Sequence, residues 1–152
     1  MAVKGILVND GGAPARIMNF TADATIYAGD AIELTATGCK AADEGDVQPA
    51  GFALVDAAAD EPCSVITGSG IMLNAAVDGS SSAASIGSLL GVGEDGTMIV
   101  VAAAKATAVA LEAKSTAPGT TTRLLSKVLV LLGELKYGSS RNKPRFSIIT
   151  TK

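Results

Sequence analysis

The chain has 152 residues, of which 48% are hydrophobic and only 3% aromatic, and its formal net charge is −3 at pH 7. This length allows one domain with a sizeable core, which must be packed mainly from small and branched side chains. Histidine is absent. Enzymes and metal sites that need a general base near neutral pH, or the commonest ligand for zinc, copper or non-haem iron, are therefore disfavoured.

Short segments of strand length follow one another along the chain and are separated by turn residues. They are Val3–Val8, Ala15–Phe20, Ala31–Ala36, Gly51–Val55, Cys63–Thr67, Ile71–Ala75, Thr97–Val101, Thr107–Ala113 and Arg123–Leu132. This pattern predicts a mainly β domain. Ala102–Lys114 has helix-forming composition, but an internal repeat of the chain favours a strand there. Ser80–Ser85 is interpreted either as one helical turn or as a loose serine loop.

Two stretches of the chain follow the same pattern of glycines and apolar runs. In the first, Gly29 is followed after nine residues by Gly38 and later by Phe52-Ala53-Leu54. In the second, Gly87 is followed after nine residues by Gly96 and later by Val109-Ala110-Leu111. Self-similarity at a nearly fixed spacing is strong evidence about a fold. It predicts that one strand-pair unit occurs twice.

The second copy contains the string Gly91-Val92-Gly93-Glu94-Asp95-Gly96, which matches the GxGxxG pattern of dinucleotide-binding loops. Such a loop must open a helix whose N-terminus faces the pyrophosphate. A strand-like run, Thr97–Val101, follows instead. The sequence therefore predicts a β-hairpin in which Asp95-Gly96 supplies the positive φ angles of the turn.

Other candidate reactive groups lack the partners that chemistry would require. Cys39 and Cys63 fit no zinc pattern, and two buried or half-buried free thiols are favoured over a disulfide, which stays an alternative. Ser69, between Gly68 and Gly70, has no histidine to activate it. The acidic cluster at residues 43–46 lacks the EF-hand spacing and is interpreted as a solvated turn. We expect no catalytic residue, no metal and no cofactor.

Charge is divided unevenly along the chain. Residues 1–133 carry seven Lys/Arg and fourteen Asp/Glu, whereas residues 134–152 carry five Lys/Arg and one Glu. The basic tail ends in a β-prone run, Arg145–Thr151, suited to adding a strand to a neighbour. An acidic body with few aromatics argues against nucleic acid as a partner. The apolar run Leu124–Leu132 contains Lys127 and is too short to span a membrane.

Four phrases of the chain carry a resemblance to a known family. They are AGDAIEL at Ala28–Leu34, PAGFALVDAAA at Pro49–Ala59, VIT at Val65–Thr67 and GIML at Gly70–Leu73. Over about residues 24–132, the style of the sequence resembles that of the capsid cement or decoration proteins of tailed bacteriophages. The resemblance implies a single compact β-barrel or β-tulip-like domain that clusters, often as trimers, on the outer capsid surface.

From the residues and the resemblance together we expect a non-enzymatic virion protein. The expected organisation is an N-terminal arm with the first strands over residues 1–20, a β domain over 21–135 and a basic C-terminal arm over 136–152. Its expected partners are the major capsid protein, at junctions between subunits, and other copies of the chain. The expected contact residues are Lys4, Arg16, Lys136, Arg141, Lys143, Arg145 and Phe146.

Two alternatives remain from the sequence. One is a surface β module that binds a glycan or a receptor, but glycan sites usually present Trp or Tyr platforms, and the chain has no Trp and two Tyr. The other is a small β-barrel enzyme, for which no constellation of acid, base and nucleophile is present.

Overall fold

A computed structural model of the chain describes residues 6–9, 16–43, 48–78, 84–113 and 123–131. Within these ranges the regular structure consists of strands and one 3₁₀ turn, Ala103–Lys105, with no α-helix. The mainly β fold is confirmed. The strands are β1 (Leu7–Asn9), β2 (Arg16–Thr21), β3 (Ala31–Leu34), β4 (Cys39–Ala41), β5 (Gly51–Ala53), β6 (Pro62–Thr67), β7 (Met72–Asp78), β8 (Leu89–Val92), β9 (Met98–Val100), β10 (Ala108–Ala110) and β11 (Arg123–Val130).

Strands β7 to β11 form a closed five-stranded barrel, which we call the second unit. Its strands are neighbours in the order β7-β11-β10-β8-β9, and a parallel pairing between Val77 and Met98 closes the ring. Strand β1 adds to β7, where Leu7 pairs with Leu73. Alternation along each strand turns one set of side chains inward. Leu90, Met98, Ala110 and Val128 belong to this buried core.

Strands β2 to β6, which we call the first unit, have the same arrangement. Their order is β2-β6-β5-β3-β4, and the two outer strands meet at one parallel bridge between Ala22 and Cys39. Each strand of the first unit therefore has a counterpart in the second. The pairs of strands are β2 and β7, β3 and β8, β4 and β9, β5 and β10, and β6 and β11.

The residue pairings across the strands also correspond, which shows that the two units repeat one structure. Within each unit the strands pair in the same register, and both ring-closing pairings are parallel. The corresponding pairs are Ala31–Phe52 and Leu89–Val109, Phe52–Ile66 and Val109–Leu129, Ile32–Ala41 and Leu90–Val100, Phe20–Cys63 and Ala75–Ser126, and Ala22–Cys39 and Val77–Met98.

Gly29 and Gly87, the first glycines of the two predicted copies, lie in equivalent turns. Gly29 has a φ of 92° and Gly87 a φ of 91°, values that glycine adopts without steric cost. The Gly29 N–H donates to the Ala53 carbonyl and the Gly87 N–H to the Ala110 carbonyl, each at 2.8 Å. The predicted strand-pair repeat is confirmed, and the structure extends it to include β2 and β7.

The outer side of the first unit packs onto the second unit. Ala31, Phe52 and Ile66 point away from the first unit's interior and are fully buried in the core cluster of the second. Two backbone hydrogen bonds of 2.8 Å join the units, from Ala76 N–H to the Gly29 carbonyl and from Gly96 N–H to the Ala42 carbonyl. Because the two units share one core, they form one compact β domain.

The predicted Asp-Gly hairpin is present between β8 and β9. Asp95 and Gly96 have φ angles of 52° and 76°, and the Thr97 N–H closes the turn on the Glu94 carbonyl at 3.0 Å. Two successive positive φ angles are those of a type I′ turn, whose twist matches that of the strands it joins. The GxGxxG string therefore serves backbone geometry.

The remaining segment predictions differ from the structure in detail. Strand β4 was not predicted, and β10 is shorter than the predicted Thr107–Ala113. Ala103–Lys105, within the run of helix-forming composition, makes only one 3₁₀ turn. The serine segment up to residue 83, residues 44–46 of the acidic cluster and the C-terminal arm lie outside the described residues.

Candidate functional site

Of the seven predicted contact residues, Arg16 lies in the described part of the chain. It begins β2 and is exposed. The other six, Lys4, Lys136, Arg141, Lys143, Arg145 and Phe146, lie outside the described residues. They stay predictions.

Among the residues that the structure describes, none pairs with one edge of strand β2 over most of its length. It pairs with β6 along one side from Arg16 to Thr21, while its other side meets β4 only at the bridge that follows the strand. Ile17 is 57% exposed and Met18 is 39% exposed. An edge strand with exposed apolar side chains offers backbone and side-chain contacts to another chain, and proteins usually protect such edges. This edge can bind a protein strand or an apolar surface.

The outer face of the second unit carries a row of apolar side chains across three strands. Val109 of β10 pairs with Leu89 on β8 and with Leu129 on β11, so the three lie side by side. Each is partly exposed. Ile86, in the turn before β8, is 72% exposed. We call these four residues the outer row.

The two cysteines lie together inside the first unit as free thiols. Burial raises the pKa of Cys63 to about 12, and burial likewise raises the pKa of Cys39. Since the thiolate is the reactive form, both side chains stay neutral and unreactive near neutral pH. The prediction of buried free thiols is confirmed. Both side chains pack in the interior of the first unit. The residue of the second unit at the position equivalent to Cys63 is Ser126.

A polar cluster at the β3–β4 turn fixes the end of the first unit. Asp23 accepts hydrogen bonds from the hydroxyls of Thr35 and Thr37, the latter at 2.9 Å. The Thr35 hydroxyl oxygen accepts from the Gly38 N–H at 2.9 Å. These contacts satisfy backbone and side-chain groups within the turn, so the cluster holds local structure.

A second polar cluster lies on the outside of β3 and β4. Lys40 Nζ lies 2.9 Å from an Asp43 carboxylate oxygen and 3.6 Å from a Glu33 carboxylate oxygen. The hydrogen bond that the Lys40 ammonium donates to the Asp43 carboxylate raises the pKa of Lys40. Exposed ion pairs of this kind add little stability. Among the described residues, no group of three or more His, Cys, Asp or Glu side chains is placed to hold a metal ion.

The described residues thus present surfaces, namely an open strand edge and an apolar outer row. No helix in this part of the chain is long and apolar enough to cross a membrane. Sequence reasoning missed both surfaces. The alternation of apolar residues in β8, β10 and β11 was visible, but which face another element covers depends on tertiary packing.

Comparison with known proteins gives a structural similarity. No protein-family model matches the chain, and no curated protein matches it. Among solved structures, the chain is similar to the N base of the head fiber gp8.5 of bacteriophage phi29, with a TM-score of 0.59 and 16% sequence identity. The match covers 77% of this chain and 94% of that one. At this identity the similarity shows a shared fold.

Proposed function

We propose that the chain is a structural protein of a phage virion that binds the outer surface of the capsid at junctions between major capsid proteins and stabilises the shell. The observation that carries this proposal is the fold shared with the base of a phage head fiber, over 94% of that chain. The resemblance of the sequence to cement proteins is a second, independent support.

The physical mechanism we infer requires binding and no reaction. A protein that contacts two or more capsid subunits at once adds contacts that the bare shell lacks, and linked contacts strengthen one another through their effective concentration. Binding to the assembled state, and not to separated subunits, stabilises that state by mass action. The two docked units give the chain a rigid body from which contacts can be made on several sides.

In this proposal the basic residues form the contact to the capsid. Residues 134–152 carry five Lys/Arg and one Glu, in contrast to the acidic remainder of the chain. The proposed contacts are Lys4, Arg16, Lys136, Arg141, Lys143, Arg145 and Phe146. Complementary charge steers association and fixes the register of an interface more than it adds raw affinity. Capsid binding through the tail should therefore weaken as salt concentration rises.

The test is co-sedimentation of the purified full chain with capsids from phage that lack it. The proposal predicts saturable binding at a fixed copy number and a higher temperature for release of DNA from the shell. Absence of binding, or specific binding to a glycan array in its place, would contradict the proposal.

Two variants separate the contribution of the tail's positive charges from that of its β-prone run. Deletion of residues 138–152 should lower capsid occupancy. A full-length variant with Lys136, Arg141, Lys143 and Arg145 changed to Gln keeps the β-prone run, so it should lose the salt-dependent part of the binding. Unchanged occupancy in both variants would show that the tail does not contact the capsid. Any remaining binding would then come from the folded units.

A further inference from the structure

The contact between the two units of one chain has two sides. One side is the outer face of the first unit, where Ala28, Ala31, Phe52 and Ile66 pack into or against the core of the second unit. The other side consists of strand β7 with its neighbour β11, because a side chain at Gly29 would meet Leu125, Ala76 and Asn74, and of the β8–β9 turn, where the Gly96 N–H donates to the Ala42 carbonyl. The part formed by β7 and β11 is the one that matters below.

The first side of this contact recurs on the second unit without its partner. The strand correspondence places Ile86, Leu89, Val109 and Leu129, the outer row, at the positions of Ala28, Ala31, Phe52 and Ile66. All four are apolar. Ala31, Phe52 and Ile66 are fully buried by the second unit, whereas no member of the outer row is fully buried. At Gly87, which occupies the place of Gly29, no described residue other than its chain neighbours has an atom within 4 Å of where a Cβ would lie.

The second side of the contact recurs on the first unit and is also uncovered. The counterparts of Asn74, Ala76 and Leu125 are Asn19, Thr21 and Pro62, which we call the receiving edge. All three are exposed, whereas Asn74 and Ala76 are buried.

The backbone of the receiving edge is oriented for the same hydrogen bond. In the second unit, the Ala76 N–H points away from β11 and donates to the Gly29 carbonyl. In the first unit, the Ala22 N–H donates to the Glu61 carbonyl at 2.9 Å, toward β6. Successive N–H groups of a strand point to opposite sides, so the Thr21 N–H points away from β6, as that of Ala76 does from β11.

We propose that a second copy of this chain docks head to tail, with the outer row of one copy on the receiving edge of the next. The contact repeats the part of the interface between the units that β7 and β11 receive: the Thr21 N–H of one copy donates to the Gly87 carbonyl of another, and Ile86 becomes buried. A contact between two different surfaces is heterologous, and its repetition generates a closed ring or a filament. The inference does not depend on attachment to a capsid.

The first test measures the mass of the purified full chain and of four variants in solution. The wild-type chain is expected to be larger than a monomer. Ile86→Asp places a carboxylate in the apolar contact, and Thr21→Pro removes the N–H donor at a position where an edge strand tolerates proline. Each should weaken association by at least about tenfold. Circular dichroism and thermal unfolding confirm that each variant is folded.

Two matched variants serve as controls. Thr21→Ala introduces the residue that the second unit has at this position, Ala76, and keeps the N–H. Tyr27→Asp introduces the same charge as Ile86→Asp at an exposed residue of the equivalent turn in the first unit, whose contacts are made within the chain. Both should associate as the wild-type chain does.

A mixing experiment tests the head-to-tail direction. The Ile86→Asp chain keeps an intact receiving edge, and the Thr21→Pro chain keeps an intact outer row. Mixed in equal amounts, the two monomeric variants should form a 1:1 heterodimer that grows no further. A symmetric contact between two β2 edges would give no heterodimer and would leave Ile86→Asp without effect.

The inference is overturned by a wild-type chain that stays monomeric at the highest soluble concentration. It is equally overturned by an oligomer that neither Ile86→Asp nor Thr21→Pro weakens, or by failure of the mixed variants to pair.

Discussion

Replacing Gly29 by alanine should destabilise the protein by disturbing the contact between the two units. Gly29 has a φ of 92°, a conformation that costs a residue with a side chain about 1–2 kcal/mol. The new Cβ would also lie 2.7 Å from Leu125 Cδ2 and 3.2 Å from both the Ala76 nitrogen and the Asn74 carbonyl oxygen. Overpacking of this kind typically costs about 1–3 kcal/mol. The total expected loss is about 2–5 kcal/mol.

Gly70→Ala is the matched control for this prediction. Gly70 has a φ of 83°, but among the described residues only its chain neighbours come within 4 Å of the position that its Cβ would occupy. Its substitution should therefore cost only the backbone strain, about 1–2 kcal/mol. The difference between the two variants isolates the packing at the contact between the units.

The assay is urea unfolding of both variants and the wild-type chain at one protein concentration, with thermal unfolding as a check. For a chain of this size, each kcal/mol lost lowers Tm by roughly 2–4 °C. Equal losses in Gly29→Ala and Gly70→Ala would refute the argument, because they would show that the backbone of β7 does not restrict the turn at Gly29.

Three further predictions concern the core, the thiols and the hairpin. Phe52→Ala should lower the free energy of unfolding by about 3–5 kcal/mol, measured by urea unfolding, because Phe52 is fully buried between the units. Its control is Val55→Ala, at a side chain that is 46% exposed, which should change the free energy of unfolding by less than about 0.5 kcal/mol. Because burial raises the pKa of Cys63 from 9.0 to about 12, the folded state keeps a proton that the unfolded state releases. Stability from this group is therefore full below about pH 9 and is lost as the pH rises toward 12; urea unfolding across that range should show the loss, and Cys63→Ser should reduce its slope. Asp95→Val places a β-branched residue at a φ of 52° and should cost about 1–2 kcal/mol in the same assay; no loss would contradict the assigned turn.

The repeat could be predicted from the sequence because a few of its residues are fixed by backbone geometry. Gly29 and Gly87 occupy the same positive-φ turn, and Ala53 and Ala110 accept the same hydrogen bond from it. The positive-φ position favours glycine over other residue types, so the turn can be recognised in both copies. The Asp-Gly hairpin was predictable for the same reason.

The correspondence of β2 with β7 could not be predicted, because neither strand carries a residue that its geometry requires. Arg16–Thr21 reads RIMNFT and Met72–Asp78 reads MLNAAVD, with no glycine in either strand and only one asparagine, Asn19 and Asn74, at an equivalent position. The connections also differ in length, since residues 54–61 join β5 to β6 and residues 111–122 join β10 to β11. Pattern alone gives the strands but not their alignment.

The open edge of β2 and the outer row could not be predicted from the sequence for a different reason. Phe52 and Val109 occupy equivalent outward positions and are both apolar, yet the first is buried by the other unit and the second is partly exposed. Alternation in a sequence shows which side chains share a face of a strand. It does not show which of those faces another part of the protein covers.

An electron cryomicroscopy reconstruction of the virion, compared with one of particles that lack this chain, tests the proposed function most directly. Difference density for the two docked units is predicted on the outer face of the shell, between neighbouring copies of the major capsid protein. Identical shells in the two reconstructions, or density for the chain only inside the particle or in the tail, would contradict the proposal.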